Sequence, residues 1–525
     1  MTGATRRYLF GPLERRGLLL GLFPSQLLSL AGGLLLALVV VHASPDAFGI
    51  LAALAIMVGG AAGACLPLAG RPPAAWLPVA ISWLARRAKG PALSTVPLLG
   101  QAQPFGQAQR RSHVSGRRLH RTGERTTQSP QSKVTSGPGA LAAGVEILAV
   151  PALPGQGALG VLRDRRAGTW AAVLPVRSGA FALLDPVDKE RRLAAWGSVL
   201  AALGRAGSPV HRMQWVERTF AGDAEALAGH AADTSPAPLV ASSTTSPNSN
   251  GAAREAYAEL IATAGPTTIE HECLIVLAVN GRRLPRSFGR GEAGVVDLLR
   301  RELRLLQGQL RGVELAAGDP LDASGLTRVL RAGFEPGVRR RRSRMQPAAA
   351  WPMATDEAWS SVRVEGAWYA TFWIAEWPRV EVGPDFLAPL LLGGAERTVA
   401  LTMAPVGPER ARRQVEAART AEAADEELRR RAGFLPTARR RREAEGVAQR
   451  EAELADGHAE FRFSGYVTVS GRDRVALEAA CAEIEQQGQQ ARLDLRRLFG
   501  QQGAAFTWTL PLARGLAAGG LGGPA

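Results

Sequence analysis

The densest local set of residues able to do chemistry is Glu270-His271-Glu272-Cys273. Carboxylate, imidazole and thiol groups could ligate a divalent metal, and an imidazole could activate the thiol. On a strand, alternation puts Glu270 and Glu272 on one face and His271 and Cys273 on the other. That split favours strand-edge residues over a metal or nucleophile site. Asp185 and Asp188 are a second close pair of carboxylates. They could hold a metal for a transferase, but at a helix start they more simply complement the dipole. His458 precedes a strand and reads as a helix-end cap rather than a ligand. No GxxxxGK[ST], HExxH, CxxC or GxSxG occurs. The expectation is a chain that is not an enzyme, with no catalytic, cofactor or metal site.

Anion binding is the other chemistry on offer. Arg117, Arg118, Arg121 and Arg125 form one cluster, and Arg339, Arg340, Arg341 and Arg342 another. Either could contact phosphate or anionic lipid. The net charge of +16 and pI near 11.0 point the same way. Lysine, however, occurs only at Lys89, Lys133 and Lys189, among abundant Ala, Gly, Arg and Pro. Codon usage in a GC-rich genome would produce that skew, so the charge carries about half its usual weight. The run from Gly366 to Arg379 holds Trp368, Tyr369, Phe372, Trp373 and Trp377. Aromatics beside arginines could stack single-stranded bases; burial on both faces of a core strand is the commoner fate.

The chain has 525 residues, 46% of them hydrophobic, enough for three or four domains and a sizeable core. That apolar content excludes a collagen-like or wholly disordered chain. Its cysteines, Cys65, Cys273 and Cys481, are odd in number and far apart, which excludes a disulfide scaffold and a Cys-based zinc module. The body therefore reads as lying on a reducing side of a membrane.

The elements that must position these residues begin with two apolar runs. Gly17 to Pro45 and Ala47 to Gly70 carry no charged side chain apart from Asp46 between them. Each can supply the roughly 20 residues that cross a bilayer. The spacing predicts a two-helix transmembrane hairpin within residues 1–90, packed through Gly32, Gly33, Gly59, Gly60 and Gly63. Arg6, Arg7, Arg15 and Arg16 precede it, and Arg71, Arg86, Arg87 and Lys89 follow it. The positive-inside rule then gives a two-pass protein of the plasma membrane with both termini cytoplasmic. A second apolar run directly after the first argues against a cleaved signal peptide.

Residues 91–143 read as a basic flexible linker. Residues 144–230 read as an α+β subdomain: strands at Val145–Val150, Gly157–Leu162, Thr169–Val176, Ala180–Leu184 and Val210–Thr219, and a helix over Pro186–Leu203. Residues 231–252 read as a loop. Residues 253–406 form a second α+β subdomain, with helices at Ala253–Ala264, Gly294–Gly312 and Leu321–Ala332. Its strands are His271–Val279, Ala367–Trp377 and Arg397–Ala404. Residues 407–525 read as a charged helical hairpin broken near Gly433–Pro436, then strand Ala459–Ser470, helix Arg474–Gln487, strand Ala504–Leu510 and a Gly-rich tail. The fold class is thus a membrane hairpin followed by a cytosolic α+β body with antiparallel or mixed sheets.

The opening Arg6-Arg7-Tyr8-Leu9-Phe10-Gly11-Pro12-Leu13-Glu14 resembles membrane proteins of actinobacterial integrative conjugative elements, associated with type IV secretion. The likeness extends through Arg165–Trp170, Phe181–Asp185, Gln214–Arg218 and Trp377–Pro384. Arg439–Glu443, Glu451–His458 and Phe461–Ser470 look like the N-terminal domain of VirB-type conjugation ATPases, as do Ala491–Phe499, Ala504–Phe506 and Leu510–Leu512. In those ATPases a motor domain follows; here the chain stops soon after Leu512, so hydrolysis is not carried over. The resemblance implies a non-catalytic inner-membrane structural component of a conjugation machine. Its partners would be the bilayer, a separate conjugation ATPase and other channel subunits in a larger oligomeric complex, with single-stranded DNA a candidate. Alternatives are a type VII secretion membrane component, which has a similar gross architecture, and a membrane-anchored transferase.

Overall fold

The computed structural model describes residues 24–65, 73–88, 92–93, 140–221 (except 178 and 180), 256, 259, 269–335 (except 285, 289 and 290), 345–431, 433 and 438–516. Most of the expected 91–143 linker, the 231–252 loop and most of the expected 253–264 helix lie outside these residues; within the linker, Ala92–Leu93 forms a short strand and Ala140–Ala142 a 3-10 turn.

Two helices come first, α1 (Pro24–Ala43) and α2 (Ala47–Cys65). Asp46 caps α2, its Oδ1 accepting from Gly49 N at 3.0 Å. A Cβ on Gly33 would lie 3.5 Å from Gly60 Cα, so the helices meet through glycine. They pack as a hairpin, and the transmembrane span expected of it is not supported. Among the described residues no helix is long and apolar enough to cross a membrane. The dense apolar stretch of α1, Leu27–Val41, rises about 22 Å against a hydrocarbon thickness of about 30 Å. The C-terminal part of α2 is Gly59-Gly60-Ala61-Ala62-Gly63-Ala64, small residues with little transfer energy. The plasma-membrane, two-pass localisation falls with it, because the flanking arginines have no span to orient.

Helix α3 (Pro73–Ala88) belongs with the body rather than with a membrane anchor. Trp83 meets Trp359 edge-on at 5.3 Å between ring centroids, Trp76 lies 5.9 Å from the same ring, and Arg86 pairs with Glu357 at 3.1 Å. Gly500 makes the seat: its φ is +70°, and a Cβ there would stand 2.6 Å from Trp359 and 2.9 Å from Val79.

The body is one large antiparallel sheet with helices on both faces, an α+β architecture. Its strands are β1 (Ala92–Leu93), β2 (Val145–Val150), β3 (Leu159–Asp164), β4 (Thr169–Arg177), β5 (Val210–Ala221), β6 (Ile269–Asn280) and β7 (Ala316–Ala317). Then come β8 (Ala354–Glu357), β9 (Val362–Val364), β10 (Ala367–Glu376), β11 (Arg397–Pro405), β12 (Phe461–Gly471) and β13 (Asp494–Arg497). The order is β1-β8-β9-β10-β12-β11-β5-β6-β4-β3-β2, with β13 beside β10 and β7 beside β4.

The helices of the body are α4 (Pro186–Leu203), α5 (Glu292–Arg311), α6 (Ala323–Phe334), α7 (Ala388–Leu391), α8 (Pro408–Arg431), α9 (Ala438–Ala455), α10 (Arg474–Gln490) and α11 (Gln502–Thr509). Helices α4, α5, α7 and α10 pack on one face, where Leu174, Leu277, Val399 and Val467 point. Helices α6 and α11 pack on the other, against Val173, Val276, Val216 and Ala400. The stripe Val295, Leu298, Leu299, Leu303, Leu306 and Leu310 fixes α5. Each such side chain contributes about 1.5–3 kcal/mol of transfer free energy on burial.

The order of elements repeats. The unit β3-β4-α4-β5-β6-α5-β7-α6 is followed by β9-β10-α7-β11-β12-α10-β13-α11, with α8 and α9 inserted between β11 and β12. In each unit the fourth strand lies between the second and the third: β4-β6-β5 and β10-β12-β11. Strand β4 pairs with β3 at its start and β7 at its end; β10 pairs likewise with β9 and β13. Even a side-chain pair recurs. Arg163 lies opposite Trp170 with its guanidinium 4.9 Å from the ring, and Arg363 lies opposite Trp368 at 5.7 Å. The units join where β5 pairs with β11, from Arg397↔Thr219 to Met403↔Met213.

Two expected strands are corrected. Ala180–Leu184 contains a short 3-10 helix, Phe181–Leu183. Residues 504–509 fall in helix α11, buried at every position but Ala504, so its Phe506-Thr507-Trp508 alternation marks no exposed face.

Candidate functional site

The richest titratable cluster lies at the join, on β5, β6 and β11. Strand β4 stops pairing with β6 at Val176↔Cys273, while β5 continues to Ala221↔Ile269. Among the described strands Glu270, His271 and Glu272 are therefore flanked by β5 alone, the strand-edge position expected of them. Alternation divides the set as the sequence suggests. On the α10 side, Trp215 Nε1 donates to Cys273 Sγ at 2.8 Å, and His271 Nδ1 lies 3.0 Å from Glu217 Oε1. On the α6 side, Arg218 meets Glu272 at 3.4 Å and donates to Val329 O at 2.7 Å.

Burial governs the electrostatics. It pushes the Cys273 thiol up to about 12, the indole bond offsetting only part of that. It raises Glu217, against the opposing pull of the His271 hydrogen bond. It lowers the buried guanidiniums of Arg218 and Arg397. Arg397 donates to two carbonyls, Gly393 O at 3.0 Å and Ala395 O at 2.9 Å. A nucleophilic cysteine needs a depressed pKa and a nearby base, and Cys273 has its pKa raised while His271 is engaged by Glu217. Among the described residues no group of three His, Cys, Asp or Glu could hold a metal ion.

Cys481, inside α10, is likewise pushed up to about 12 by burial. Both thiols are expected to resist a Cys-alkylating reagent at pH 7–8 in the folded chain and to react on unfolding. Mass-spectrometric counting of adducts with and without denaturant checks this; rapid labelling of Cys273 in native buffer would contradict it.

Other residues singled out from the sequence have structural partners. Asp185 caps α4, accepting from Asp188 N at 2.8 Å, and Asp188 pairs with Arg191 at 2.8 Å. His458 follows α9 and gives its backbone N–H to Glu453 O at 2.9 Å. Tyr369, Phe372 and Trp373 are buried from both faces of β10. Trp368 lies under the Arg363 and Arg474 guanidiniums. Arg117, Arg118, Arg121, Arg125, Arg339, Arg340, Arg341 and Arg342 all lie outside the described residues.

Arg218 and Arg397 are only 5% and 3% exposed and were not singled out as site residues from the sequence. Their signal was there: charged side chains inside Met213-Gln-Trp-Val-Glu-Arg-Thr-Phe220 and at the start of the apolar Arg397–Pro405 strand. Arg218 Nε and Nη2 have no protein partner. Arg218 lines a cavity of about 50 Å³ with Tyr369, Glu396, Thr398, Ser470 and Phe506, large enough for ordered water. A Cβ on Gly333 would come within 3.0 Å of Arg218 Nη2, so glycine on α6 leaves room for the guanidinium.

No family model matches the chain, and no curated protein is significantly similar to it.

Proposed function

We propose that the chain is a non-catalytic structural component of a type IV secretion or conjugation machine that docks a separate ATPase. The observation that carries the reading is the state of the join. Its ionisable side chains are engaged with one another or with backbone carbonyls across an uninterrupted sheet, the arrangement of a rigid platform. The partner class comes from the resemblance of the 439–512 segments to the domain that precedes the motor in conjugation ATPases.

The two other readings lose their footing. A type VII secretion component, like the inner-membrane placement of the conjugation reading, rested on membrane-crossing helices that the described residues do not contain, and the resembling segments fit that family less well. A transferase rested on Asp185 and Asp188, which are occupied as a helix cap and an ion pair. Co-purification tests the proposal. Tagged full-length chain is expected to retain a conjugation ATPase encoded beside it through washing at 150–300 mM salt, concentrations at which long-range charge attraction is largely screened. Recovery of the chain alone, with the ATPase folded and active, would overturn it.

A further inference from the structure

The two ends of the sheet are treated differently. In the repeat, β2 lies beside β3 as β8 lies beside β9. The chain itself covers the outer side of β8, where β1 pairs antiparallel with it, Ala92↔Thr355 and Leu93↔Ala354. No described strand pairs with the outer side of β2. The first unit therefore ends, among the described residues, on a row of main-chain groups with no ladder partner.

Parity identifies those groups. Arg165 N donates to Gly144 O at 2.9 Å, and the ladder runs on without a shift from Val145↔Asp164 to Val150↔Leu159. Hydrogen-bonded pairs alternate along an antiparallel ladder. Gly144, Glu146, Leu148 and Val150 thus turn their main-chain groups toward β3, and Val145, Ile147 and Ala149 turn theirs outward. The devices that blunt an edge are missing: β2 reads Val-Glu-Ile-Leu-Ala-Val over six residues, with no lysine, proline or bulge. Its one charge, Glu146, is spent within the unit, on Arg165 at 2.9 Å and Arg163 at 3.4 Å. Ile147 packs on the α6 side and Leu148 on the α5 side, each only half-buried. A strand laid alongside would extend both apolar layers.

The occupant follows from the join and from the strand's own sequence. At the join the equivalent strands β5 and β11 meet antiparallel, so the chain already pairs like with like about a local two-fold axis. Strand β2 can do the same with β2 of a second copy. Centred on Ile147, the register sets Val145 against the partner's Ala149 and Glu146 against the partner's Leu148. Every outward group of Val145, Ile147 and Ala149 then finds a partner. Apolar side chains face one another, and no two carboxylates are opposed.

We propose that two copies of the chain associate through their β2 edges, antiparallel, to form one continuous sheet about a two-fold axis. The inference does not depend on ATPase docking. One strand from each copy buries less than the roughly 800 Å² per partner of a standard interface, so a micromolar dissociation constant is expected. Sedimentation equilibrium of the full-length chain from about 1 to about 100 μM should show monomer passing to dimer. I147P removes an outward N–H and leaves the β3 ladder intact; it is expected to weaken association at least tenfold, with folding checked by far-UV circular dichroism. Cross-linking tests the register without proline. In a C65S background, I147C places two thiols on the axis, with facing Cα atoms about 5.5 Å apart, within disulfide reach. Mild oxidation should give a covalent dimer of I147C and little of A149C, which lies off the axis and controls for linkage through other thiols. Should I147P fail to fold, the comparison of I147C with A149C decides. A parent chain that stays monomeric throughout would overturn the proposal. So would folded I147P that associates as tightly as the parent, or equal cross-linking of I147C and A149C.

Discussion

Arg218→Met is expected to destabilise the folded chain by about 3–5 kcal/mol, the usual cost of removing one partner from a buried ion pair. Arg218 sits in the strand that joins the two units, 5% exposed, bonded to Glu272 and to Val329 O. Methionine keeps most of the volume but leaves Glu272 beside an apolar neighbour and Val329 O without its donor. The loss falls toward the lower figure because the Glu272 side chain is one-fifth exposed. R218M/E272Q should recover a large part of it, since the stranded charge is then gone. Urea unfolding of the four members of this cycle gives the coupling directly. A loss below about 1 kcal/mol for R218M would show that the join is not held by this pair.

The second large effect is at Phe506→Ala, for which a loss of about 3–5 kcal/mol is expected from the cavity and the lost transfer energy. Phe506 is 2% exposed on α11, 4.7 Å from the Tyr369 ring and 5.7 Å from Phe334. It ties the second unit to α6 of the first. F506L should restore more than half of the loss. An equal loss for Leu and Ala would mean that the ring geometry, rather than the filled volume, sets stability here.

What the sequence made legible was decided by whether local signals agreed with packing. Helix α4 begins and ends where its pattern says, because Asp185 caps it, Pro186 suits the first turn and Val199 and Leu203 face the sheet. The paired helices α8 and α9 were readable from composition and from the break near Gly433. Helix α11 was not: buried at every position but Ala504, it carries no 3.6-residue stripe, and Phe506, Trp508 and Leu510 imitate strand alternation. Strands β8, β9 and β13 are three or four residues long, too short to show a period. The membrane reading failed because uncharged length was counted where dense apolar length was needed.

The site was legible only in part. Alternation placed Glu270, His271, Glu272 and Cys273 on their correct faces, since parity needs no tertiary information. It could not show that Glu217, Arg218 and Arg397 would join them. That depends on β5 pairing with β11 across nearly 180 positions of sequence, a register that no local pattern encodes. The repeat of units was hidden for the same reason: Gly168-Thr169-Trp170 and Gly366-Ala367-Trp368 look unremarkable until both are seen beginning the equivalent strand.

The central proposal is that this chain binds a motor and is not one. Multi-angle light scattering of the purified full-length chain mixed with its neighbouring conjugation ATPase, with ATP turnover followed in the same fractions, tests it most directly. The expected result is a new peak carrying both chains, with turnover wherever the ATPase elutes and none in fractions holding this chain alone. Two separate peaks, or hydrolysis by this chain by itself, would contradict the account.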